Sequence, residues 1–101
     1  MGKTSKKSVV DLISECRHRS TEKEVIGCLK GLFEKTNNGM VSYELGHEYE
    51  KLRKNKEAVK YYEEAESLFG QDSFKNMARA AINSIVIEAL ITENRKKGSK
   101  K

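Results

Sequence analysis

The sequence predicts an all-α fold, on three observations. The chain has 101 residues and no proline, so the strongest helix breaker is absent. Good helix formers (Glu, Lys, Ala and Leu) dominate its central part. No stretch alternates apolar and polar residues for long enough to form a strand. A chain of this length makes one domain with a modest core, because it buries only about two-thirds of its unfolded surface.

The spacing of apolar residues predicts two helices in the N-terminal part, over residues 8–17 and 21–35. Both carry apolar stripes three and four residues apart. The first stripe comprises Val9, Leu12, Ile13 and Cys16, and the second Val25, Cys28, Leu29, Leu32 and Phe33. Ser20 or Thr21 is the expected cap of the second helix, with Glu24 completing a capping box. Asn37-Asn38-Gly39 then predicts a left-handed stop and a turn.

Two further helices are predicted over residues 40–53 and 56–69, ended by Gly70. Gly46 interrupts the first of them, and a glycine within a helix costs about 1 kcal/mol relative to alanine. We therefore expect a second helix to approach closely at Gly46. The inward positions are Val41, Leu45, Tyr49 and Leu52 on one helix, and Ala58, Tyr61, Tyr62, Ala65, Leu68 and Phe69 on the other.

A long fifth helix is predicted over residues 72–94, with Asp72 or Ser73 as its cap. Its main stripe comprises Phe74, Met77, Ala78, Ala81, Ile82, Ile85, Ala89 and Leu90. Val86, Ile87 and Ile91 add apolar surface on another side of its second half. That surplus indicates either an interface or cover by the two N-terminal helices folding back. The first alternative predicts self-association through Val86, Ile87, Leu90 and Ile91, as a homodimer or larger species.

Residues 40–70, MVSYELGHEYEKLRKNKEAVKYYEEAESLFG, resemble one tetratricopeptide repeat, whose fold is a helix–turn–helix of about 34 residues. The matching positions are Leu45, Gly46, Tyr49, Ala58, Tyr62 and Ala65. The resemblance implies an antiparallel helical hairpin capped by the long C-terminal helix. It also implies a non-enzymatic protein-interaction or assembly module, acting as a scaffold or adaptor. In this family the first helix of each hairpin lines a partner-binding groove, which here would involve Tyr43, His47, Glu50 and Lys51.

The positive charge of the chain lies in its two ends. The chain carries 20 Lys and Arg against 15 Asp and Glu, a net charge of +5. Residues 1–7 and 95–101, interpreted as basic flexible tails, hold eight basic residues and no acidic ones, so the domain at 8–94 is acidic. A nucleic-acid-associated accessory protein is therefore the alternative function, using Lys3, Lys6, Lys7, Arg95, Lys96 and Lys97. The interpretation without a binding function is that these tails keep the protein soluble.

No motif indicates an enzyme, a cofactor or a metal site. Cys16, Cys28, His18 and His47 lack the paired spacing of zinc ligands. The two cysteines are interpreted as small buried apolar residues rather than a disulfide. No apolar run approaches the ~18 residues of a membrane span, and the polar start does not resemble a signal peptide. We therefore expect a cytoplasmic protein with protein partners and no membrane.

Overall fold

A computed structural model describes residues 7–99 of the chain, with side chains through residue 93. These residues form five α-helices and no strand, which confirms the all-α prediction. The helices are α1 (Val9–Arg17), α2 (Glu22–Thr36), α3 (Gly39–Lys51), α4 (Asn55–Leu68) and α5 (Asp72–Ser99). Within the described residues, no helix combines the length and apolar character needed to cross a membrane.

Three of the helices begin with a side-chain cap, and the Thr21 cap of α2 is the one that the sequence predicts. Ser8 caps α1 by accepting a hydrogen bond from the Asp11 amide, and the Thr21 hydroxyl accepts from the Glu24 amide at 3.1 Å. Asn38 caps α3 in the same way, which the sequence analysis did not single out. α5 begins at Asp72 itself, so this residue is the first of the helix rather than its cap.

The C-terminal ends of the helices differ from one another in backbone conformation and in how well their positions are predicted. Asn37 ends α2 in the left-handed conformation with φ 50°, as the Asn-Asn-Gly turn predicts. The α3–α4 turn places Arg53 at φ 64°, where glycine or asparagine is the usual residue. α5 continues five residues past the predicted end at residue 94. Basic residues 95–97 are good helix formers, and positive charge near a helix C-terminus is favourable.

The closest packing joins α3 and α4 into an antiparallel hairpin, with α2 and α5 on its flanks. Gly46 lies against the Tyr62 ring: a Cβ at this glycine would come within 2.7 Å of the ring. This contact confirms the expected close approach at Gly46. Leu29, Val41, Leu45 and Ala58 are fully buried around it and form the centre of the core.

Not every predicted core residue is buried. Leu52, Leu68 and Phe74 are more than a third exposed, because each lies at or near an end of its helix, where neighbouring residues cover only part of the side chain. The Phe74 ring still packs on Phe69, with the ring centroids 5.3 Å apart. Ile26, by contrast, is buried although it is absent from the predicted α2 stripe. The α2 face that packs on the hairpin is therefore wider than the three-and-four spacing suggests.

The interpretation of the two cysteines as an unbonded buried pair is wrong. Cys16 and Cys28 form a disulfide with their Cα atoms 5.5 Å apart, which links α1 to α2. Each cysteine does lie on an apolar stripe, and Cys16 is buried. The short turn between the helices makes those two stripes face one another, and this tertiary relation is not visible in the spacing within either helix.

Candidate interaction surfaces

The second half of α5 carries an exposed apolar surface. Four aliphatic side chains within two helical turns are about half exposed: Val86 (47%), Ile87 (55%), Leu90 (55%) and Ile91 (49%). We call these four residues the distal surface. They are the residues that the sequence analysis assigns to self-association. Contiguous apolar surface of this kind marks interaction sites on soluble proteins, whereas single exposed aliphatic residues do not.

The distal surface is exposed because the rest of the fold does not reach it. α5 packs mainly against α4, and its buried side comprises Ala78, Ile82 and Ile85. α4 begins at Asn55, so α5 extends past the start of its partner. α1 and α2 pack on α3. The alternative in which these two helices fold back over α5 does not occur in this structure.

A groove lies between the end of α3 and the second half of α5. It contains a cavity of about 260 Å³ lined by His47, Glu50, Lys51, Arg53, Asn55 and Glu88. An adjoining cavity of about 450 Å³ shares Arg53, Asn55 and Glu88 and extends to Ala89, Thr92 and Glu93. Three of the four predicted groove residues, His47, Glu50 and Lys51, line this cavity together.

Tyr43 does not line this groove. Its ring is half-buried and packs on Tyr62, with the ring centroids 5.2 Å apart, and on Phe69 at 6.4 Å. Burial raises the pKa of the Tyr43 hydroxyl above its ordinary value. Tyr43 is therefore a packing residue between α3 and α4, one turn away from the cavity-lining residues.

Glu50 connects the groove to the core. Its carboxylate accepts a hydrogen bond of 2.7 Å from the hydroxyl of Tyr62, whose ring is almost completely buried. Burial, and then this hydrogen bond to a carboxylate, raise the pKa of Tyr62 far above its ordinary value of 10.0. The neutral tyrosine therefore holds Glu50 in a fixed position at the wall of the groove.

Lys51 belongs to a network of charges that the sequence analysis missed. Its ammonium group lies 3.2 Å from the carboxylate of Glu48 and 4.0 Å from that of Glu22. Glu48 is only 2% exposed. A signal for Glu48 does exist in the sequence, because position 48 falls on the inward stripe of α3, three residues after Leu45. Much of the Lys51 charge is therefore used within the chain.

The residues assigned to the nucleic-acid alternative fall mostly outside the described part of the chain. Lys3 and Lys6 precede it, and the side chains of Arg95, Lys96 and Lys97 lie beyond it. Lys7 is described and forms an ion pair with Glu15 on α1. An internal partner reduces the charge that Lys7 can offer to a phosphate.

The two histidines do not come together with the cysteines. The His18 ring donates a hydrogen bond to the Ser14 carbonyl at 2.7 Å within its own helix turn, and His47 lines the groove. Across residues 7–99, no three His, Cys, Asp or Glu side chains are grouped so as to hold a metal ion. The cysteines form the disulfide instead.

Comparisons of the chain with protein-family models, curated proteins and solved structures find no match. The likeness to a tetratricopeptide repeat therefore depends on the residues of 40–70 and on the helical hairpin that they form. The class that the fold defines is a small all-α protein with a tightly packed central hairpin.

Proposed function

We propose that this chain is a non-enzymatic protein-interaction module that associates with a second copy of itself through the distal surface of α5. The observation that carries the proposal is the half-exposed state of four aliphatic side chains in two helical turns. The tetratricopeptide-like hairpin supports the same class of function, because repeat units of this kind bury a continuous core only by stacking on neighbours.

A stable partner has to cover more of the protein than the four side chains of the distal surface. A standard interface buries about 800 Å² on each partner, whereas the largest apolar patch of an ordinary monomer is about 300–600 Å². A second copy therefore has to cover the residues beside the distal surface too. The groove adjoins it on α5, where Glu88 and Thr92 lie between the two regions, so one partner can contact both. As part of the proposal, the groove residues His47, Glu50 and Lys51 contribute at the edge of the interface or bind a separate protein partner.

The mass of the particle in solution tests the proposal. Light scattering coupled to size exclusion is expected to show a dimer or larger species for the wild-type chain. Ile87→Glu introduces a charge that would be buried in the interface, so the mass is expected to fall to that of the monomer. Raising the salt concentration is expected to leave the wild-type assembly intact, because apolar contacts are not screened.

Val10→Glu is the matched control. Val10 is a single aliphatic side chain on α1 with 68% of its surface exposed, well away from the distal surface. The control is expected to keep the wild-type mass. Equal masses for Ile87→Glu and the wild type, both folded by circular dichroism, would exclude the distal surface as the interface.

The alternative, an accessory protein that contacts nucleic acid through its ends, is supported only by their charge. Deletion of residues 1–7 and 95–101 separates the two proposals. The interaction module keeps its assembly without these ends, whereas the accessory protein loses its salt-dependent binding to nucleic acid.

The proposal includes a cytoplasmic location. In that compartment most disulfides are transient, because glutathione and thioredoxin keep thiols reduced. A cytoplasmic chain is therefore expected to hold Cys16 and Cys28 as thiols for part of the time, which labelling of free thiols in cell extracts measures.

A further inference from the structure

The two cysteines of the disulfide between α1 and α2 differ in their exposure to solvent. Cys16 is 3% exposed, whereas Cys28 is only partly buried. A cavity of about 250 Å³ lies next to the bond, lined by Leu12, Glu15, Arg19, Gly27, Gly31, Leu32, Lys35 and the cysteines. Gly27 and Gly31 keep it open, since no described atom lies within 4 Å of a Cβ built at either position. A small molecule therefore has access to the sulfur of Cys28.

The charges around Cys28 favour an anion. The Arg19 guanidinium lies 3.8 Å from the Cys28 sulfur, and Lys35 lines the same cavity. Glu15 is the acidic residue of the lining, and its carboxylate is paired with Lys7. A thiolate that carries further carboxylates is therefore attracted to Cys28, and a cationic thiol is repelled.

We propose that Cys28 is a site of thiol–disulfide exchange with anionic low-molecular-weight thiols. The thiolate of the small molecule attacks the Cys28 sulfur and forms a new S–S bond there. The Cys16–Cys28 bond breaks, and its electron pair goes to the Cys16 sulfur, which takes a proton from solvent. The product is a mixed disulfide at Cys28 and a thiol at Cys16, so that atoms and electrons balance without a further reagent.

Access decides which sulfur reacts. An attacking thiolate has to approach along the line of the S–S bond, on the side away from the leaving sulfur. Both cysteines line the cavity, but the core leaves only 3% of Cys16 exposed, whereas Cys28 is partly exposed and is the sulfur that a small thiol reaches more easily. In the reverse reaction the Cys16 thiolate attacks the mixed disulfide and releases the small thiol. This exchange site is independent of the distal surface and of its proposed role in assembly.

Intact-protein mass spectrometry on the full chain tests the proposal, with reduced glutathione as the anionic probe and cysteamine as the cationic one. After acid quenching, glutathione is expected to appear on the peptide that contains Cys28 and not on that of Cys16. At equal thiolate concentration and low salt, glutathione is expected to react about fivefold faster than cysteamine. High salt is expected to reduce this preference.

Arg19→Gln tests the role of the cavity charges, and Lys56→Gln, at an exposed lysine on α4, is the matched control. Arg19→Gln is expected to remove most of the preference for glutathione, whereas Lys56→Gln is expected to preserve it. Circular dichroism checks that both variants keep their helices. A disulfide that resists millimolar glutathione while the protein is folded would overturn the proposal. Adducts divided equally between the two cysteines, or equal rates for both thiols, would also overturn it.

Discussion

The α3–α4 hairpin and the second half of α5 are built from similar apolar residues but differ in how far these residues are covered. Leu45 on α3 is completely buried, whereas Leu90 on α5 is 55% exposed. The side chains of the hairpin are covered so completely because Gly46 lets the Tyr62 ring come into contact with the α3 backbone. The second half of α5 extends past the start of α4, and the distal surface is not covered by a described helix. One chain thus contains a closed core and an apolar surface that the described helices leave about half exposed.

The largest expected effect comes from the same substitution made in both regions. Leu45→Ala removes a fully buried side chain and is expected to lower the free energy of unfolding by about 2–5 kcal/mol. Leu90→Ala, measured at a concentration where the chain is monomeric, is expected to change it by less than about 0.5 kcal/mol. Guanidinium unfolding followed by circular dichroism gives both values. Equal losses in the two variants would show that α5 is covered within the monomer.

Two glycine substitutions are expected to have the next largest effects on the stability of the fold, in opposite directions. Gly46→Ala forces a Cβ into the Tyr62 ring and is expected to destabilise the fold by about 1–3 kcal/mol, despite the better helix propensity of alanine. Gly27→Ala is the control, because its Cβ points into open space on α2. It is expected to stabilise the fold by up to about 1 kcal/mol. Thermal unfolding compares the two, and a stabilising Gly46→Ala would contradict the close contact.

Tyr62→Phe removes the hydrogen bond to Glu50 and is expected to cost about 1–3 kcal/mol near neutral pH, because the acceptor is charged. The pKa of Tyr62 is raised in the folded state above its ordinary value of 10.0. Its contribution is therefore fully present below pH 10 and is lost as the pH rises above 10. Between pH 8 and pH 11, the free energy of unfolding is expected to fall more steeply with pH for the wild type than for Tyr62→Phe.

Tyr43 and Tyr61 also have pKa values raised by burial, and both variants of this experiment retain them. The difference between the two plots of unfolding free energy against pH therefore isolates Tyr62. Parallel plots above pH 10 would mean that Tyr62 ionises as readily in the folded chain as in the unfolded chain.

The smallest expected effect concerns the α3–α4 turn. Arg53 occupies a left-handed conformation beside the groove, with the Lys54 amide bonded to the Tyr49 carbonyl at 3.0 Å. Arg53→Gly is expected to stabilise the fold by about 0.5–1 kcal/mol, because glycine adopts this conformation without steric strain. Asn37→Gly is the comparison and is expected to change less, since asparagine tolerates the same conformation. Denaturant midpoints measure both.

The sequence predicts the elements of this fold well and their mutual arrangement less well. All five helices begin within one residue of their predicted starts. Ser8, Thr21 and the Asn37–Gly39 turn fix three of these starts locally. Gly46 also reports a tertiary contact, since a glycine within a helix has a packing reason. The disulfide depends on how α1 and α2 pack together, which spacing within one helix does not encode. The burial of Glu48 and the extension of α5 to Ser99 do have local signals, in the inward stripe of α3 and in the helix-forming residues 95–97, but the prediction did not use them.

The candidate surfaces also divide into features set by one helix and features set by the packing between helices. The surplus of aliphatic residues on α5 is a property of one helix and is therefore visible in the sequence, and the four side chains are about half exposed in the fold. Tyr43, His47, Glu50 and Lys51 lie on α3 at spacings of three and four, but the hairpin uses the first of them for packing. Whether an outward residue reaches a groove depends on the neighbouring helix.

An isotope-filtered nuclear Overhauser experiment on a mixture of ¹³C-labelled and unlabelled chains detects whether the distal surface of α5 contacts a second copy of the chain. We expect intermolecular contacts from the methyl groups of Val86, Ile87, Leu90 and Ile91, and none from those of Val41 or Leu45. A mixed sample at high concentration with no intermolecular contact from the distal surface would contradict this expectation. So would contacts that come from another face of the molecule.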